Sequence, residues 1–189
     1  MEAFLVSLGV VALAEIGDKT QLLALVLAAR YRRPTPIIFG ILTATLVNHL
    51  AAGALGAWLT VVIGPGALRW ILGVSFLGMA AWTLIPDSFS QQRAPPARLG
   101  VYGATTLAFF LLEMGDKTQI ATIALAAKYH SILAVVAGTT VGMMLADVPA
   151  VLLGEVAATR LPMKLLQRIA AGLFLVLGII VLLHNPAAP

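Results

Sequence analysis

Two short segments, far apart along the chain, carry two acids and a lysine at the same spacing. "EIGDKTQ" begins at Glu15 and "EMGDKTQ" begins at Glu113, and six of the seven residues are identical. Each glutamate lies about 12 to 14 residues into a long apolar stretch, close to mid-membrane at 1.5 Å per residue. A charged residue there costs about 2.5 to 3.5 kcal/mol on insertion scales. These side chains must therefore face a partner or a water-filled cavity.

The acids of the two segments are the candidate metal ligands. On a continuous helix Glu15 and Asp18 are three residues apart and share one face, and Glu113 and Asp116 repeat this spacing. If a pseudo-twofold axis brings the two copies together, the four carboxylates form an oxygen cage. Oxygen ligands suit hard divalent cations such as Mn²⁺ and Ca²⁺.

The other polar residues of the segments are expected to support that cage. Lys19 and Lys117 balance the charge of the carboxylates, which repel one another when crowded. An uncompensated site should therefore hold protons, and cation-for-proton exchange follows from the competition. Four neutral residues are expected to add oxygen ligands or to hydrogen-bond the carboxylates: Thr20, Gln21, Thr118 and Gln119.

Glycine at the centre of each segment has two expected roles. Gly17 and Gly115 remove a side chain at the level of the acids. This lets helices approach closely, or lets the backbone deform and expose carbonyl oxygens.

Three further polar residues are candidates for ligands or for a proton relay. Asn48 and His49 lie midway through the second apolar stretch, and a shift of 98 residues pairs His49 with Asp147 in the fifth. For the histidine, the alternative is a hydrogen-bonded packing residue. Asp147 is followed by Pro149, which can open the helix locally and free carbonyl groups.

The composition identifies the elements that must position these residues as membrane helices. Of 189 residues, 60% are hydrophobic and only 11% are charged, and the mean hydropathy is +0.99. A soluble domain carries about a quarter charged residues, so we expect an all-α, multi-pass membrane protein surrounded by lipid. There is no cysteine, which excludes disulfides and thiolate metal sites. No cofactor, nucleotide-binding loop or hydrolase arrangement is indicated, so an enzyme is not expected.

Six apolar stretches are long enough to span a bilayer, and they form two copies of a three-span unit. Because three is odd, the second copy enters the membrane in the opposite direction, which gives the inverted repeat of alternating-access transporters. The alternative is a duplicated structural bundle. We predict a first repeat over 1–86, a cytoplasmic linker over 87–98 and a second repeat over 99–189, with spans at 3–29, 36–63, 67–86, 99–127, 132–158 and 165–184.

Basic residues predict the orientation. The net charge is +4, but the basic residues stand singly or in short clusters between apolar stretches, so nucleic-acid binding is not expected. The second and fourth connections hold only Arg69 and Lys128, whereas the first, third and fifth hold the other basic residues. Because basic loops face the cytoplasm, these three connections are predicted inside and both chain termini outside. The basic residues of the other three connections are Arg30, Arg32, Arg33, Arg93, Arg98, Arg160, Lys164 and Arg168.

The twin motifs resemble those of a family of small cation/proton antiporters. That family includes the Golgi manganese/calcium exchangers, chloroplast manganese transporters and bacterial manganese exporters, and its pattern is E-x-G-D-[KR]-[TS] in the first and fourth spans. "EIGDKT" and "EMGDKT" match it without departure. The resemblance implies Mn²⁺ or Ca²⁺ transport in exchange for protons across the bacterial inner membrane, with the four motif acids binding the ion. The linker is short and not notably acidic, so regulation through an acidic central loop is not expected.

Three alternatives to manganese export remain at this stage. Each Glu–Lys pair could be a structural salt bridge between helices, although two identical buried pairs would contribute only modest stability at high cost. The lysines could hold the carboxylate of a small organic solute such as an amino acid. A membrane scaffold is the third, and an oligomer is compatible with all of these functions.

Overall fold

The computed structural model describes residues 1–85, 98–153 and 163–183, and these residues are helical with no β-strand among them. The prediction of an all-α chain is therefore confirmed. The predicted linker, apart from Arg98, lies outside the described residues, as do Arg93, Arg160 and the end of the fifth predicted span. The helices are α1 (Glu2–Glu15), α2 (Lys19–Tyr31), α3 (Pro34–Val62), α4 (Pro65–Thr83), α5 (Gly100–Glu113), α6 (Lys117–Tyr129), α7 (Ile132–Leu153) and α8 (Met163–Leu183).

Three of the described helices are long and apolar enough to cross a membrane. They are α3, α7 and the part of α8 from Lys164 to Leu183. At 1.5 Å per residue, the 29 residues of α3 exceed the roughly 30 Å of a bilayer core. α5 is a shorter apolar helix.

The first and fourth predicted spans are not continuous helices, which corrects the sequence-based prediction. α1 ends at Glu15 and α2 begins at Lys19, and α5 and α6 are separated at the equivalent position. Glu15 and Asp18 therefore do not share a helical face. The hydrophobic pattern could not reveal this, because both half-helices are apolar and only the backbone at Gly17 and Gly115 interrupts them.

The helix bounds follow the sequence repeat. Adding 98 to the bounds of α1 and α2 gives the bounds of α5 and α6, and the first residues of α3 and α4 correspond in the same way to those of α7 and α8. The same local sequence has thus produced the same break and the same helix starts twice.

The two copies interlock through glycines. A Cβ added at Gly138 of α7 would collide with the Phe4 carbonyl oxygen and lie 3.0 Å from Ser7 Cβ, both on α1. Gly40 of α3 has the equivalent contacts with α5, where a Cβ would lie 2.8 Å from Thr105 Cβ. Small residues let helix backbones approach closely in lipid. α1 is consequently packed on α7 and α5 on α3, so each broken helix is held by the other half of the chain.

α4 and α8 pack against each other. Phe76 and Phe174, which the repeat relates, are both fully buried, and their ring centroids are 6.5 Å apart. Two residues related by the repeat therefore meet where α4 contacts α8.

Candidate cation site

The two helix breaks bring the motif acids into the interior. Glu15 and Glu113 are the last residues of α1 and α5, whereas Asp18 and Asp116 are the N-terminal caps of α2 and α6. Each of the four side chains is at most 2% exposed. The aspartates are favoured by the positive ends of their helices, and the negative ends of α1 and α5 favour a cation near the glutamates.

The breaks themselves depend on glycine and glutamine. Gly17 and Gly115 adopt φ angles of 82° and 77°, so the second of their expected roles, backbone deformation, is the one observed. The Gly17 N–H donates to Gln21 Oε1 at 2.9 Å, and the Gly115 N–H donates to Gln119 Oε1 at 2.7 Å. The glutamines therefore stabilise the unwound backbone.

Replacing Gly115 with alanine is expected to destabilise the protein by about 1 to 2 kcal/mol, because left-handed backbone is unfavourable for a residue with a Cβ. A Cβ at this position would meet no atom within 4 Å, so backbone strain is the whole effect. Gly172→Ala in α8 is the matched control, since a Cβ there also meets nothing and the residue is helical. Thermal unfolding in detergent measures both. Equal stability of the two variants would contradict this explanation of the break.

Three carboxylates from the two halves come together. Glu15, Asp18 and Asp116 each offer one oxygen, and these oxygens all lie within 4.8 Å of one another. Glu15 also accepts a hydrogen bond from Thr20 Oγ1. Carboxylate oxygens at this spacing, buried from solvent, have the chemistry of a site for a hard divalent cation.

The two motif lysines form ion pairs across the halves. Lys19 Nζ lies 3.1 Å from Asp116 Oδ1, and Lys117 Nζ lies 2.7 Å from Asp18 Oδ1. The repeat relates these two pairs. Each motif lysine is thus paired with the aspartate of the opposite copy, which supplies charge balance to that carboxylate.

Glu113 has different partners from Glu15. His49 Nε2 lies 3.3 Å from Glu113 Oε1, and Asn48 Nδ2 donates to Glu113 Oε2 at 3.3 Å and to the Phe110 carbonyl at 3.2 Å. His49 is fully buried. Three of the four predicted ligands are therefore clustered, while the fourth lies beside Asn48 and His49 of α3.

Asp147 occupies the position that the repeat relates to His49. It is fully buried, and neither carboxylate oxygen has a hydrogen-bond partner among the described residues. Thr118, the counterpart of Thr20, is also buried, and its hydroxyl makes no hydrogen bond within the part of the chain that the structure describes. The two halves of the site thus have different partners despite identical motifs.

Sequence reasoning missed one neighbour of the site, the backbone carbonyl of Ala146. Gln21 Nε2 donates to this oxygen at 3.0 Å, which ties the first break to α7 next to Asp147. Gln119, its counterpart, is partly exposed. Because the acceptor is a backbone atom, no residue type signals this contact.

Apolar helices that break at a buried site of several carboxylates are typical of a membrane transporter for cations. Comparison with known proteins agrees with that class. A family model described as "Divalent cation/proton antiporter GDT1" matches residues 3–91 and 101–188. The chain belongs to this family, so it is an antiporter and not an enzyme.

The similar proteins span nearly the whole chain. A Vibrio cholerae protein named "Putative manganese exporter" is 50% identical over 184 residues, covering 95% of this chain and 90% of that protein. A Synechocystis "GDT1-like protein sll0615" is 29% identical, covering 95% and 96%. The Arabidopsis thaliana "Protein PAM71-homolog, chloroplastic" is 27% identical, covering 92% of this chain and 57% of its own length. No solved structure matches significantly.

Proposed function

We propose that this protein exports Mn²⁺ from the cytoplasm across the bacterial inner membrane in exchange for protons. The observation that carries the proposal is the buried cluster of Glu15, Asp18 and Asp116, whose ligand oxygens come from both halves of the chain and lie within 4.8 Å of one another. The half-identical Vibrio cholerae relative, whose name refers to manganese, favours Mn²⁺ as the transported ion. Ca²⁺ is a second substrate compatible with oxygen ligands.

Protons and metal would compete for the same carboxylates. Three negative groups in a buried space repel one another, and either a bound divalent cation or protons relieve that repulsion. A metal that enters therefore releases protons, and protons that enter release the metal. This competition couples the two fluxes without a covalent step.

The repeat suggests how the ion passes between two states. The repeat relates each motif residue to its counterpart 98 positions away. The counterparts of Glu15, Asp18 and Asp116 are Glu113, Asp116 and Asp18, and these form a second set of three carboxylates. The two aspartates belong to both sets. We infer that the ion stays on the aspartates while Glu15 is replaced by Glu113, and that Asn48 and His49 hold Glu113 in the state described here.

The six-span inverted repeat remains part of this proposal, with halves at 1–86 and 99–189, a cytoplasmic linker and both termini outside. Its support is the 98-residue offset between helix bounds and the packing of α1 on α7 and of α5 on α3. Rocking of one half against the other would then open the site to alternate sides.

An exporter of an organic solute is less favoured by the geometry. It requires the lysines to hold a substrate carboxylate, yet each ammonium is within 3.1 Å of an aspartate.

Transport by the purified protein in proteoliposomes tests the proposal. With an imposed pH gradient, we expect Mn²⁺ to move against the proton flux and to alter it in proportion, while Mg²⁺, which dehydrates reluctantly, moves more slowly. Ca²⁺ is measured in parallel. An amino-acid flux without any metal-dependent proton movement would support export of an organic solute and would overturn the proposed Mn²⁺/proton exchange.

A further inference from the structure

The lysines of the site compete for the same groups as the metal. Lys19 and Lys117 bind Asp116 and Asp18, and both aspartates belong to the three-carboxylate cluster. A cation that enters the cluster must therefore share these carboxylates with an ammonium or displace it. Each ammonium is tethered to the protein and lies within 3.1 Å of the aspartate of the other copy. Its effective concentration at that carboxylate is therefore high.

The two ion pairs differ in how easily the lysine can withdraw. The Lys19 side chain is 28% exposed, whereas the Lys117 side chain is 5% exposed and its distance to aspartate is shorter. Lysine is a compact charge on a flexible four-carbon stem, so it can move without backbone rearrangement. Withdrawal is thus least hindered on the Lys19 side.

Charge decides which ions can replace an ammonium. Na⁺ and K⁺ carry the same charge as the group they would displace, so the exchange gains no Coulomb energy and leaves an ammonium without its partner. A divalent cation brings twice the charge to the same oxygens. We propose, on the basis of the function proposed above, that Lys19 and Lys117 are built-in competitors that exclude monovalent cations from the site and admit only divalent ones.

Removing one lysine charge should therefore let Na⁺ bind the carboxylate cluster and compete with Mn²⁺ there. Lys117→Met and Lys19→Met retain an unbranched side chain and remove the ammonium. Mn²⁺ binding is measured by calorimetry on the full-length protein in detergent, in a mildly alkaline buffer in which protons compete least. NaCl replaces N-methyl-D-glucamine chloride at constant ionic strength, so that screening does not change.

For the wild-type protein we expect the same Mn²⁺ affinity in both salts. In each methionine variant, sodium should lower the apparent Mn²⁺ affinity by roughly tenfold when present at about ten times its own dissociation constant. Lys117→Arg keeps the charge and should keep the exclusion. Lys128→Met is the matched control, because this lysine lies in the last turn of α6 beside the Tyr129 ring and should behave as wild type.

The results separate this inference from the proposed function. Methionine variants that bind Mn²⁺ with no effect of sodium overturn the competitor role while leaving the transported ion unchanged. Sodium competition in the wild type also overturns it. No Mn²⁺ binding by the wild type refutes the proposed function itself. If Lys117→Met does not fold, the effect of sodium on Mn²⁺ binding by Lys19→Met decides, because Lys19 is the more exposed of the two lysines.

Discussion

Replacing Glu15 with glutamine is expected to abolish Mn²⁺ binding and transport. The substitution keeps the shape of the side chain but removes a charged ligand from the cluster that it forms with Asp18 and Asp116. Partners that only support a metal ligand contribute about 10- to 100-fold in affinity. Loss of a direct ligand should therefore lower the affinity by roughly 100-fold or more. Calorimetry with Mn²⁺ and the proteoliposome assay measure the two effects.

The matched control is Glu2→Gln at the other end of the same helix. Glu2 is exposed and accepts a hydrogen bond from the Tyr129 hydroxyl at 3.3 Å, far along α1 from the cluster. It should retain both binding and transport. Glu15→Gln should also fold, because removing one of several crowded carboxylates reduces their repulsion. A folded Glu15→Gln protein that binds Mn²⁺ as tightly as wild type would show that the ion binds elsewhere.

Replacing Glu113 with glutamine is expected to separate binding from transport. In the described conformation Glu113 lies beside His49 and Asn48 and outside the three-carboxylate cluster. The Mn²⁺ affinity of the purified variant should therefore change by less than about threefold, which is under 1 kcal/mol. Transport should fall by roughly tenfold or more, since the second state would lack its glutamate ligand.

The comparison with Glu15→Gln makes this result informative, because the repeat relates the two positions and the substitution is identical. Equal loss of binding in both variants would favour a single cage of four carboxylates. Unchanged transport by Glu113→Gln, accompanied by altered stability, would instead favour a scaffold in which the buried acids are structural. Binding and flux are measured on the same preparation so that differences in folding do not enter the ratio.

Local sequence was sufficient to predict much of the molecule. Hydropathy predicted an all-α chain, because each span must satisfy its backbone polar groups within itself in lipid, although it did not predict the breaks in the first and fourth spans. The 98-residue repeat indicated two copies of one unit, and in the structure the bounds of α2 and α6 are offset by the same 98 residues. The twin motifs also led to the antiporter family to which the chain belongs.

The breaks in the first and fourth spans were only partly predictable. Gly17 and Gly115 permitted either close helix packing or a deformed backbone, and the residue type alone does not choose between them. The choice depends on Gln21 and Gln119, whose side chains satisfy the N–H groups that the missing helical turn leaves unpaired. Such a contact depends on where the next helix begins.

The partners of the charged residues depended on the fold. The sequence by itself determined that two identical sets of glutamate, aspartate and lysine stand in apolar stretches, where such side chains need partners. Only the tertiary structure decided that Lys19 meets Asp116, that Lys117 meets Asp18, and that Glu113 meets His49 while Glu15 joins the aspartates. The reason is that identical motifs have identical local preferences, and these contacts join residues from opposite halves of the chain.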